Sequence, residues 1–142
     1  MRARRGIAAI EFALWLPLLI LMVAGAVDLG WYLWVHEAAQ SAAREGARNA
    51  AVLTSSPSGS GPATESDIET EAIAHTGDVL TAAGWTCGAG CVITSTWFED
   101  PGTGWYLLTV AVTLPYEAPI GILPRNARSA TAEFTVMTQV QP

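Results

Sequence analysis

The first residue able to do chemistry is Glu11, a carboxylate in the run Gly6-Ile7-Ala8-Ala9-Ile10-Glu11-Phe12. An acid in hydrocarbon costs ~2.5–3.5 kcal/mol at a bilayer centre and less near an edge, so it usually persists because something pairs with it. Position alone leaves two readings open. Glu11 snorkels to the near membrane face or pairs with Arg4 or Arg5, or it answers a cation supplied from elsewhere. Cys87 and Cys91, the only cysteines, are the second reactive pair, spaced C-x3-C. If this part of the chain lies outside the cytoplasm, the natural reading is a local disulfide rather than free thiols. A metal site would need two more ligands, and His36 and His75 have no ligand-like spacing to these cysteines or to each other. No GxSxG, HExxH or P-loop pattern occurs, and lysine is absent. We therefore expect no enzymatic activity, no cofactor and no metal.

These residues need elements to hold them. Phe12–Val27 carries no charged residue, and Ile7–Val35 adds only Glu11 and Asp28. A helix over Ile7–Val27 is ~32 Å long, enough to cross a ~30 Å hydrocarbon core. Arg2, Arg4 and Arg5 precede it and no arginine follows until Arg44, which places the N-terminus in the cytoplasm and the remainder outside. Trp31, Tyr32 and Trp34 fall at the outer boundary, where amphipathic rings prefer to lie. Asp28 is expected to reach water there and to need no functional explanation. A secretory signal cleaved after Ala26, at Ala24-Gly25-Ala26, is the competing pattern. The length of the apolar stretch and the presence of Glu11 argue against it. The span then continues as Glu37–Val52, making Ile7–Val52 one helix of ~69 Å with a kink expected at Pro17. Ala38, Ala42, Gly46 and Ala50 recur every fourth residue, and Ala26 and Gly30 repeat the spacing within the span. Such a small-residue stripe admits another backbone closely, whether a partner helix or the chain's own sheet.

The rest reads as an α+β head. Residues 54–64 are Ser/Gly/Pro-rich and predict a flexible connection. A second helix is expected from Ser66, with Glu69 completing a capping box and Gly84 stopping it. Its apolar face is Ile68, Ala72, Ile73, Val79, Leu80 and Ala83. Asp67, Glu69 and Glu71 read as a solvated face suited to the helix dipole, or as a cation site. Strands follow over Cys91–Phe98 and Trp105–Leu114, joined by turn residues 99–104, and a third lies near Ser129–Gln139 after the Pro-rich crossing Pro115–Pro124. With a long helix, a shorter one and about three antiparallel strands, the fold class is α+β. The head is marginal alone and needs the long helix or neighbours to complete its core. Composition agrees: of 142 residues 51% are apolar and 14% charged, against ~25% charged in ordinary soluble domains. This deficit of charge, with a net charge of −6 and a mean hydropathy of +0.32, excludes a disordered polyelectrolyte, a coiled-coil rod and a basic nucleic-acid binder.

Arg4-Arg5-Gly6 followed by four apolar residues, Glu11 and Phe12 resembles the processing site of type IV prepilins and pseudopilins. The resemblance implies that a membrane aspartyl peptidase cuts between Gly6 and Ile7, removing residues 1–6 as a basic leader. The new ammonium at Ile7 would then neutralise Glu11 on the same or a neighbouring subunit, a strong pairing in a low-dielectric setting. Leu16-Pro17-Leu18-Leu19, Asp28-Leu29-Gly30 and Ala42-Ala43-Arg44-Glu45-Gly46-Ala47-Arg48 are similar to the TadE-like family over about residues 4–52. These are minor pseudopilins of the bacterial tight-adherence (Tad/Flp) pilus. The implied organisation is a transmembrane half at 7–35, an extracytoplasmic half of the same helix at 36–53, the linker 54–64 and the head 65–142. Implied partners are the inner membrane, the prepilin-type peptidase, other minor pseudopilins, the major pilin and the pilus platform proteins, with no direct nucleic-acid contact. Implied roles are pilus assembly, adhesion, secretion or DNA uptake. An uncleaved membrane-anchored binding or sensory module with an acidic head is the alternative from a different class.

Overall fold

Alanine and leucine, both strong helix formers, dominate the first fifty residues. A computed structural model shows one continuous helix there, α1 (Arg2–Ala51), running through Pro17. It describes residues 2–57, 59, 61–88, 90–103, 105–122 and 129–137, with side chains from residue 9 onward. From Ala9 to Val23 every α1 side chain is exposed, and Ala9–Ala51 is apolar and long enough to cross a membrane. From Asp28 onward one face of the helix is covered. Val35, Ala39, Ala42, Ala43, Ala47 and Ala50 are wholly buried in the same cluster as Ile68, Leu80, Leu108 and Val110. The distal half of α1 is thus a wall of the head's own core.

The segment after α1 is more ordered than its composition suggests. Ser56 N–H donates to the Gly61 carbonyl (3.0 Å) and Ala63 N–H to that of Thr54 (3.4 Å), while Ser55 and Pro62 form a bridge. Ser56 and Ala63 are buried, so the stretch, described apart from residues 58 and 60, folds back on itself instead of hanging as a flexible tether.

Helix α2 (Glu65–Ala82) starts one residue before the expected Ser66, with Thr64 as its N-cap. The Asp67 carboxylate accepts the Thr64 backbone N–H (2.9 Å) and hydroxyl (2.8 Å), and the Asp67 N–H donates to the Thr64 hydroxyl (3.3 Å). Asp67, not Glu69, closes the capping box. Glu69 is drawn elsewhere: its carboxylate accepts the Trp97 backbone N–H at 2.9 Å. The backbone and side-chain bonds from Thr64 hold the Asp67 carboxyl below its ordinary value. Because the folded pKa is the lower one, the unfolded chain binds more protons in acid. The cap's contribution is therefore complete above the ordinary aspartate pKa of ~3.9 and disappears as pH falls through the lowered value. Asp67→Asn should flatten the acid limb of a stability-versus-pH curve measured by denaturant unfolding, and an unchanged limb would exclude this role.

The buried stripe of α2 is Ile68, Ala72, Thr76 and Leu80, narrower than the expected face; Ile73 and Ala83 are exposed. Thr76 sits in it without an unmet hydroxyl, donating to the Ala72 carbonyl (2.6 Å). Gly84 takes φ +87° where α2 ends, and the Trp85 N–H returns to the Leu80 carbonyl (2.8 Å), as the expected stop requires.

Strands β1 (Val92–Glu99), β2 (Tyr106–Pro115) and β3 (Ser129–Met137) form an antiparallel meander in the order β1-β2-β3. Residues 138 and 139 of the expected third strand, and 123 and 124 of the crossing, lie outside the described residues. Leu108, Val110, Val112 and Leu114 point into the core with Ala130 and Ala132 opposite, as the alternation predicts. The other face carries hydroxyl pairs between directly opposed residues, Thr109 with Thr135 (2.8 Å) and Thr113 with Thr131 (3.2 Å). Helices on one side and threonines on the other are what a one-faced antiparallel sheet needs.

Candidate functional site

An aspartate on a helix otherwise free of charge between Phe12 and Val35 must find water or donors. Asp28 finds donors. It is fully buried, contrary to the expectation that it reaches water. Its Oδ1 accepts the Ile120 N–H (2.8 Å) and its Oδ2 the Ile122 N–H (2.7 Å). Gly121 between them has φ +81°, the left-handed conformation in which two nearby amides converge on one anion. The Tyr116 hydroxyl donates to the Asp28 backbone carbonyl at 2.9 Å. Burial, and then the Asp28 charge, push that hydroxyl above the usual phenol range. Tyr116 meets Tyr32 edge-on, with centroids 5.4 Å apart. The segment from Tyr116 to Ile122 therefore forms a strap bolted to α1 at its emergence from the exposed apolar span. Beside it Trp31, Trp34 and Trp85 touch in sequence, with centroids at 4.9 and 5.4 Å.

The small-residue stripe divides between two surroundings. Ala42, Gly46 and Ala50 are buried and Ala38 is half-buried, all against the chain's own head. Gly46 marks the tightest approach. A methyl built there would overlap the Thr76 hydroxyl and lie 3.0 Å from the Ala72 carbonyl and 3.1 Å from the Thr76 Cβ. Ala26 and Gly30 are exposed, and a methyl on Gly30 would meet nothing within 4 Å. Above the seam the Arg44 guanidinium lies over the Phe134 ring at 5.5 Å.

The N-terminal residues stand apart from these. Gly6 and Ile7 have helical backbone, and Glu11 is exposed on α1 within the apolar surface. Cys87 and Cys91 are joined in a disulfide that closes the connection from α2 to β1. Sequence reasoning missed the Asp28 strap altogether. The available signal was that Asp28 is as isolated in its apolar surroundings as Glu11.

No curated protein and no solved structure matches the chain. The family model of TadE-like proteins does match, over residues 6–48, which takes in Gly6, Glu11, Asp28 and the seam glycine Gly46. All of these residues lie on α1, so that helix carries the similarity to TadE-like proteins that the sequence resemblance implied.

Proposed function

We propose that the chain is a minor pseudopilin-like structural subunit of a bacterial Tad/Flp-type pilus, not an enzyme. It is made as an inner-membrane precursor with its N-terminus in the cytoplasm and its head outside. A prepilin-type peptidase cuts after Gly6, and the new amine at Ile7 neutralises Glu11 as α1 joins its partners. Those partners are other minor pseudopilins, the major pilin and the platform proteins, and the pilus then serves adhesion or secretion. The observation that carries the reading is the TadE-like match beginning at Gly6, the residue before the inferred cut. The exposed apolar surface of α1 supports membrane anchoring. The Cys87–Cys91 disulfide supports an oxidising, extracytoplasmic setting for the head.

Intact-mass analysis of protein extracted from membranes tests it. We expect loss of Met1–Gly6, and retention of those residues in a Gly6→Ala variant. An uncut native chain would favour the anchored binding module, and a terminus after Ala26 would favour plain secretion.

A further inference from the structure

We propose that the strap Tyr116–Ile122 is a second membrane contact, seated in the headgroup and upper acyl region of the same leaflet from which α1 emerges. The inference rests on the membrane-anchor reading of α1 and adds to it a lipid-binding surface on the head. Three observations carry it. First, Ala9–Val27 of α1, exposed throughout to Val23 and apolar apart from Glu11, measures ~28 Å, so one hydrocarbon thickness ends at Asp28. Second, the strap is fixed at that level by two hydrogen bonds to the Asp28 carboxylate and one to its carbonyl. Third, the strap turns apolar side chains outward. Ile120 is 52% and Ile122 43% exposed, Pro119 is exposed, and Leu29 and Trp31 on the adjoining helix surface are likewise uncovered.

The chemistry matches an interfacial site. Isoleucines left in water on a short loop gain from transfer into acyl chains, at roughly 25 cal/mol per Å² of apolar surface covered. The polar cost of immersing the buried part of this level is met within the fold. Of the two acids there, Asp28 is wrapped by amides that it satisfies in turn, so neither partner of that pair needs water, while the exposed Glu117 keeps its carboxylate in the polar headgroup layer. Trp31 and Trp34 supply the rings that favour the water–lipid boundary. The exposed apolar surface of α1 is thus joined at Leu29 and Trp31 by that of Pro119, Ile120 and Ile122 on the strap.

Spin-label accessibility tests this with the full chain in phosphatidylethanolamine/phosphatidylglycerol nanodiscs. Labels go on Ile120→Cys, on Leu19→Cys in the helix span, and on Thr103→Cys in the distal β1–β2 turn, with the native disulfide left closed. Ile120 contributes its backbone N–H to Asp28 and its side chain points outward, so the substitution keeps the bond. We expect oxygen-over-nickel-chelate accessibility at Ile120 severalfold above that at Thr103 and close to that at Leu19. A lipid value at Leu19 with a Thr103-like value at Ile120 would overturn the strap inference alone. A water value at Leu19 would overturn the anchor reading and the strap with it.

Discussion

Gly46→Ala is expected to destabilise the protein by about 1–3 kcal/mol, the usual cost of forcing volume into a closed contact. At an exposed helix position the same change would stabilise by about 1 kcal/mol, because alanine is the better helix former. The sign therefore reports whether the seam between α1 and α2 is as tight as described. The added methyl would overlap the Thr76 hydroxyl, and a turn of that side chain cannot cure it, since the Ala72 carbonyl and Thr76 Cβ stand at 3.0 and 3.1 Å. Relief needs the hydroxyl moved away and the helices shifted slightly apart as well, and the neighbouring alanines would lose contact with that shift. Thermal unfolding in micelles followed by circular dichroism measures the effect. Thr76→Ala in the same chain should restore part of the loss. A Gly46→Ala protein as stable as the native one would mean that α1 and α2 pack less closely.

Asp28→Ala should release the strap. It would leave the Ile120 and Ile122 amides without their acceptor, and hydrogen bonds to a charged group contribute ~1.5–3 kcal/mol each. A combined loss of about 3–5 kcal/mol matches what removal of one partner of a buried charge network costs. Amide exchange at Ile120 and Ile122 should accelerate sharply and protease should cut within the strap, while β1 and β2 stay protected. Asp28→Asn, with one acceptor oxygen remaining, should fall between. Leu29→Ala, an exposed neighbour, should change nothing, and equal exchange in all three variants would rule out the carboxylate as the anchor.

These two sites differ in how far they could be read from residues alone. The seam was half legible: a four-residue repeat of Ala and Gly announces a close approach, but it does not say to what. Burial answers that, because Ala42, Gly46 and Ala50 meet the chain's own head. The strands were read to within one residue for β1 and β2, since alternation and the 99–104 turn are local signals. The cap of α2 was misplaced because Thr64-x-x-Asp67 and Ser66-x-x-Glu69 are equivalent patterns, and the tertiary bond from Trp97 to Glu69 separates them. Asp28 was read as a solvated boundary acid because its partners at 116, 120 and 122 lie some ninety positions along the chain, and no local pattern connects them. The resemblance to TadE-like proteins rests on α1, so it could say nothing of the strap that closes over it.

Because the head consumes the smooth side of its own stalk, what α1 offers a neighbour changes character along its length. Beyond Val35 the outward side chains are Glu37, Ser41, Arg44, Glu45 and Arg48, so a visiting helix there encounters charges of both signs and must match them one by one. Below Val35 the outward surface is greasy and shallowly notched at Ala26 and Gly30, where a second backbone can nestle without electrostatic bargaining. Recognition between copies or relatives would then be selective at the top of the stalk and permissive at its base.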